Sequence, residues 1–167
     1  MRMTRLAAPV SAILGVYVTL FPFAATDARG LALRAGQDAT LPDAPGRAVV
    51  EQVCTSCHGV DYIVPSQRTV PVWREAIDAM RSYGAEATDE QWKAITGYIM
   101  ANLAHLNVNK ATSEDIALVF GVEEKVAKGV VAYRDKQGGF KTVDDCKKAP
   151  DVDAAKVDTL APRLIFE

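Results

Sequence analysis

Aromatic residues are scarce in this sequence, making up only 7% of its 167 positions. A core must therefore lean on Val, Ile, Leu and Ala, and a small domain of that kind buries little surface and often needs a staple. An excess of charge is missing too. The formal net charge is −2, with 24% of residues charged, which excludes a wholly basic or disordered chain and promises no nucleic acid. Cysteine and histidine are few, at three and two. No second Cys/His pair exists to close a four-ligand zinc site. What is there is ordinary globular composition, 49% hydrophobic, with length for one ordinary domain or two small ones.

The opening residues carry an address. Arg2 and Arg5 precede an uncharged apolar run from Leu6 to Ala25, with small residues at its exit among Ala24, Ala25, Thr26, Ala28 and Gly30. A positive start, an apolar stretch and small residues at the exit read as a secretory signal peptide over residues 1–30. The alternative is an uncleaved membrane anchor, against which Tyr17, Thr19 and Pro22 count. Either way the remainder is expected outside the cytoplasm, in the periplasm, with no stable membrane span once the leader is cut. Residues 31–45 hold Gly36, Pro42 and Pro45 without periodicity and read as a linker.

The rest reads as all-α. A helix starting near Gly46 places Val49, Val50 and Val53 just before Cys54. A second, from about Val70 to Ser82, has Pro71 in its first turn and the stripe Trp73, Ala76, Ile77 and Met80 on one face. A third begins at Thr88, with Gln91 three residues on in a capping pattern, and lines up Trp92, Ile95, Ile99 and Leu103. Residues 46–105 make one small unit. Residues 106–167 make a second, built on a repeat. Thr112, Asp115, Gly121 and Val122 recur at an offset of 30 as Thr142, Asp145, Asp151 and Val152. Each copy reads as a capped helix, a tight turn and another helix, with Gly138-Gly139 between the copies. The same offset puts Cys146 where Ile116 lies, so it is expected to be a small buried apolar residue.

Three cysteines in an exported chain need explaining. Cys54-Thr55-Ser56-Cys57-His58 accounts for two of them. C-x-x-C-H reads as c-type haem attachment: two thiols one helical turn apart add to the vinyl groups of a single haem, and the adjacent imidazole faces the iron. A thioredoxin-like C-x-x-C would want a βαβ context, which this all-α pattern lacks.

Residues 45–104 resemble the small class I bacterial cytochromes c. The resemblance rests on Cys54-Thr55-Ser56-Cys57-His58-Gly59 after an amphipathic helix, and on the helix from Thr88-Asp89-Glu90-Gln91-Trp92 to Tyr98-Ile99. It implies one covalent haem c, first and last helices that cross, and a methionine as sixth ligand to the iron. Met80, on the apolar face of the middle helix before Ser82-Tyr83-Gly84, is the expected ligand. Met100, off its helix's stripe, and His105, past the last helix, are the other candidates. Pro65 is placed to orient the His58 ring, and Tyr62, Arg68 and Trp73 to meet the haem propionates. A histidine/methionine pair suits electron transfer; a vacant sixth position would suit a haem enzyme or gas sensor.

Residues 106–165 resemble the tandem helix-hairpin-helix domain of competence DNA-receptor proteins. Leu106-Asn107-Val108-Asn109-Lys110-Ala111-Thr112, Ala132-Tyr133-Arg134, Gly139-Phe140-Lys141-Thr142-Val143-Asp144-Asp145 and Lys156-Val157 carry it. Hairpins of that family run glycine, apolar, glycine, so that backbone N–H groups can approach a phosphate. Here they read Gly121-Val122-Glu123 and Asp151-Val152-Asp153. From Leu106 onward Lys and Arg number 10 and Asp and Glu 11, a net of −1, which is no cationic footprint for DNA. The expectation is a periplasmic monohaem electron carrier, not an enzyme, that exchanges electrons with a redox partner protein and bears a hairpin docking module. A DNA-binding hairpin protein with an auxiliary haem domain is the alternative.

Overall fold

Apolar residues three and four apart set the helices, and the computed structural model describes residues 39–167. Helix α1 spans Arg47–Cys54 and buries Val50 and Val53. A short 3-10 turn, Val60–Tyr62, follows. Helix α2, Val70–Ser82, carries Pro71 in its first turn, where the missing N–H has no intrahelical partner to lose. Helix α3, Asp89–Asn102, starts from a reciprocal cap: the Gln91 N–H donates to Thr88 Oγ1 at 3.2 Å, and the Thr88 N–H donates to Gln91 Oε1 at 2.8 Å. Its stripe of Trp92, Ile95, Ile99 and Leu103 is buried, as the periodicity predicts.

Helix α1 packs against α3, and Gly46 makes the approach feasible. Its φ is +99°, and a Cβ there would sit 3.0 Å from Tyr98 Cβ and 3.2 Å from the Ala94 carbonyl oxygen. Both the conformation and the closeness call for glycine. Just upstream, Leu41 is buried and the Tyr98 hydroxyl donates to the Pro42 carbonyl at 2.6 Å. The end of the stretch read as a linker is therefore packed onto the core. Its beginning, and the leader read over residues 1–30, lie outside the described residues. Among those described, no helix is long and apolar enough to cross a membrane.

The repeat is visible in three dimensions. Its first copy is α4, Ser113–Phe120, and α5, Glu124–Gln137; its second is α6, Val143–Lys147, and α7, Ala154–Leu160. Thr112 with Asp115 and Thr142 with Asp145 both form reciprocal caps. Gly121 and Asp151 both turn left-handed, at φ 66° and 59°, a conformation aspartate tolerates better than most residues. Ile116 and Cys146 are each 1% exposed. Burial, then the nearby Asp145 carboxylate, pushes the Cys146 thiol up to about 12, so it is a protonated, inert core side chain.

The chain is mostly helical, with one addition to the all-α expectation. Leu106–Asn107, β1, pairs in parallel with Leu164–Ile165, β2, and Thr69 bridges to His105. Strands of two residues carry no readable period. The described residues belong to one compact unit, Asp38–Glu167, in which α3 also packs on α4. Arg163 ties the C-terminal residues to the end of α3: its guanidinium donates to the carbonyls of Ala101 at 2.7 Å and Ala104 at 3.0 Å, where α3 has run out of N–H partners.

Candidate functional site

Helix α1 ends on Cys54, and the turn after it carries Cys57 and His58. Helix α2 brings Trp73, Ile77 and Met80 from another side, and α3 brings Trp92, Ile95 and Ile99. Together they line a cavity of about 480 Å³, within the roughly 300–1,000 Å³ of cofactor pockets. Its walls are almost wholly apolar. Cys54, Cys57, His58 and Met80 are thus brought to one cavity, with Tyr62, Arg68 and Trp73. Met100 is fully buried in the core and does not line it. His105 sits instead at the junction of the two halves, where its backbone N–H donates to the Arg68 carbonyl at 2.9 Å. Burial and the Arg163 cation lower the His105 pKa.

The polar groups of the cavity are few and uneven. Burial raises the Cys54 thiol. Trp73 Nε1 is buried with no hydrogen-bond partner among the described residues, although a buried indole N–H ordinarily finds one. The Arg68 guanidinium stacks on the same ring, 5.0 Å from its centroid, and Arg81 lies 4.6 Å from that of Trp92. Two cations thus flank the two indole walls. His58 Nδ1 is 3.3 Å from the Gly59 carbonyl oxygen and its ring is 5.7 Å from that of Tyr62. Pro65 is exposed and does not line the cavity. Trp92, Ile95 and Ile99 share a helix face in the sequence with nothing to mark them as cavity walls, beyond a stripe that starts with a tryptophan as the α2 stripe does.

In the second half, hairpin residues Glu123, Asp151 and Asp153 are exposed. Asp153 caps its own helix, accepting the Ala155 N–H at 2.9 Å. Several lysines are neutralised within the module: Lys128 by Glu124 at 2.7 Å, Lys147 by Asp144 at 3.0 Å, and Lys148 by Asp145 at 2.9 Å. Two capped helix pairs with left-handed turns at matching positions decide what this half is. Residues 101–165 match the helix-hairpin-helix motif family. The module is similar in sequence to parts of much longer proteins. Endonuclease/exonuclease/phosphatase family domain-containing protein 1 of Danio rerio is 40% identical over 62 residues, 37% of this chain and 11% of that protein. The Homo sapiens protein of the same name is 40% identical over 60 residues, 36% of this chain and 10% of its own length. The chain spans about a tenth of the length of these curated relatives. No solved structure matches.

Proposed function

We propose that the chain is an exported monohaem c-type cytochrome that carries electrons, with the helix-hairpin-helix module as a built-in docking element. The convergence of Cys54, Cys57, His58 and Met80 on one apolar cavity carries this reading. Haem bound there would supply one-electron iron chemistry. Each thiol S–H would add across one vinyl group, leaving a thioether and no other product. His58 would hold the iron from the α1 side and Met80 from α2. The residues present fit such a group in a second respect: the unpartnered Trp73 N–H and the Arg68 cation suit a carboxylate. Ile77, Trp92, Ile95 and Ile99 would keep water out, which together with a methionine ligand raises the reduction potential.

His58 and Met80 would together hold the iron, and that ligand pair suits electron transfer with a periplasmic redox partner. The positive start and apolar run that read as a leader over residues 1–30 support export. A pyridine haemochrome assay on the full exported chain tests this: one haem per chain, retained after denaturation and acid-acetone extraction, is expected. A chain free of covalent haem overturns it.

The helix-hairpin-helix match favours a second reading, DNA binding by the module. Exposed carboxylates at the hairpins and the module's net charge of −1 oppose it, since phosphate binding needs a cationic footprint. The expected result is no mobility shift of duplex DNA even at low salt. A shift at low salt that weakens steeply as salt rises supports the second reading.

A further inference from the structure

The two copies of the repeat differ in one telling way. In the second copy Asp145 completes its cap on the surface and pairs with Lys148 of the same copy. In the first, Asp115 is only 6% exposed, and its partner comes from outside the module. Arg74 of α2 donates to Asp115 Oδ1 at 2.6 Å, with its other terminal nitrogen 3.3 Å from Glu114 Oε1. Asp115 Oδ2 accepts the Thr112 N–H at 3.2 Å, so the carboxylate is pinned by α4 and cannot follow α2. A helix cap needs no such visitor, as the second copy demonstrates. The ion pair joins the module to the helix that lines the cavity.

Arg74 follows Trp73 directly and precedes Met80 by less than two turns. At its N-terminal end α2 is held by the Val70 N–H, which donates to the His105 carbonyl at 3.1 Å. At its other end Ser82, Tyr83 and Gly84 are exposed. Between that backbone bond and the Arg81–Trp92 contact, 4.6 Å to the ring centroid beside Met80, Arg74 adds an anchor from the other half of the chain. We infer that Arg74 is a positioning residue: through Asp115 it fixes α2, and with it Trp73 and Met80, against the cavity, making the helix-hairpin-helix module a working part of the site. This rests on the haem reading for its spectroscopic test, and on geometry alone for the other.

The test uses the full exported chain with Arg74→Gln, which removes the charge at a partly exposed position, and Arg74→Lys, which keeps it. Imidazole titrated into the oxidised protein competes with Met80 for the sixth position. R74Q is expected to bind it about tenfold more tightly than the parent, the size of an ordinary coupling between linked sites, and R74K to lie near the parent. Amide hydrogen exchange over Ile77–Ser82 is expected to quicken in R74Q and not in R74K. Equal imidazole affinity in R74Q and the parent overturns the inference, whatever happens to the melting temperature. Haem-free parent protein overturns the proposed function instead. In that case the exchange data decide alone, and unchanged exchange in R74Q ends the coupling.

Discussion

Cys54→Ala combined with Cys57→Ala is expected to abolish covalent haem in the exported chain, whereas Cys146→Ala leaves it at one per chain. The contrast follows from placement. Cys54 and Cys57 line the same apolar cavity as His58, while Cys146 is a core residue of the hairpin module whose thiol is pushed up to about 12. Thioether formation needs an accessible thiol, and a buried protonated one is inert. Intact mass and the absorbance of denatured protein read the outcome. Covalent haem persisting in the double variant, or lost in C146A, contradicts the assignment. Each single variant retains one thioether position, so partial haem content is expected there. The double variant also loses stability, because a small core with few aromatics then lacks its staple.

Most of the helical framework is legible in the sequence, for identifiable reasons. The α2 and α3 stripes repeat every three and four residues, and caps such as Thr88 with Gln91 are written in adjacent letters. The offset of 30 between copies foretold the burial of Cys146 and the matching turns at Gly121 and Asp151. Cys54, Cys57, His58 and Met80 could be proposed because each rests on local spacing or on position along a single helix. What escaped was long-range. The Arg74–Asp115 pair spans 41 positions and the Arg163–Ala101 bond 62, and no periodicity links such residues. The parallel pairing of β1 with β2 is too short to leave a pattern. The packing of Leu41 and Pro42 against α3 was hidden by prolines that read as linker.

The hairpin module changes meaning in this light. Its left-handed turns keep the geometry by which such motifs can present backbone N–H groups, yet Asp153 caps one helix start with its own carboxylate. Polar side chains at the other end of the module face the first half of the chain: Asp115 takes Arg74, and Arg163 takes the free carbonyls after α3. Asp115 is the buried member of its pair, and removing the partly exposed Arg74 would leave that carboxylate without its cation. On the inference drawn from Arg74, the module works as a scaffold for α2.

Met80→Ala is expected to have the second large effect. Methionine ligation stabilises the reduced iron, so its loss lowers the reduction potential by on the order of tenths of a volt, within the roughly 0.8 V over which axial ligands set haem potentials. The oxidised protein would lose its methionine–iron charge-transfer band, and the reduced protein would bind carbon monoxide rapidly. Met100→Ala serves as the opposing control. Met100 is fully buried and lies off the cavity, so its truncation should cost about 2–5 kcal/mol of stability, as for other buried methionines, with potential and band intact. Voltammetry and denaturant titration on both variants separate a ligand from a core side chain. A potential that shifts in M100A and not in M80A would exchange the two roles. Rapid carbon monoxide binding by the unmodified reduced protein would instead mean that Met80 leaves the sixth position open.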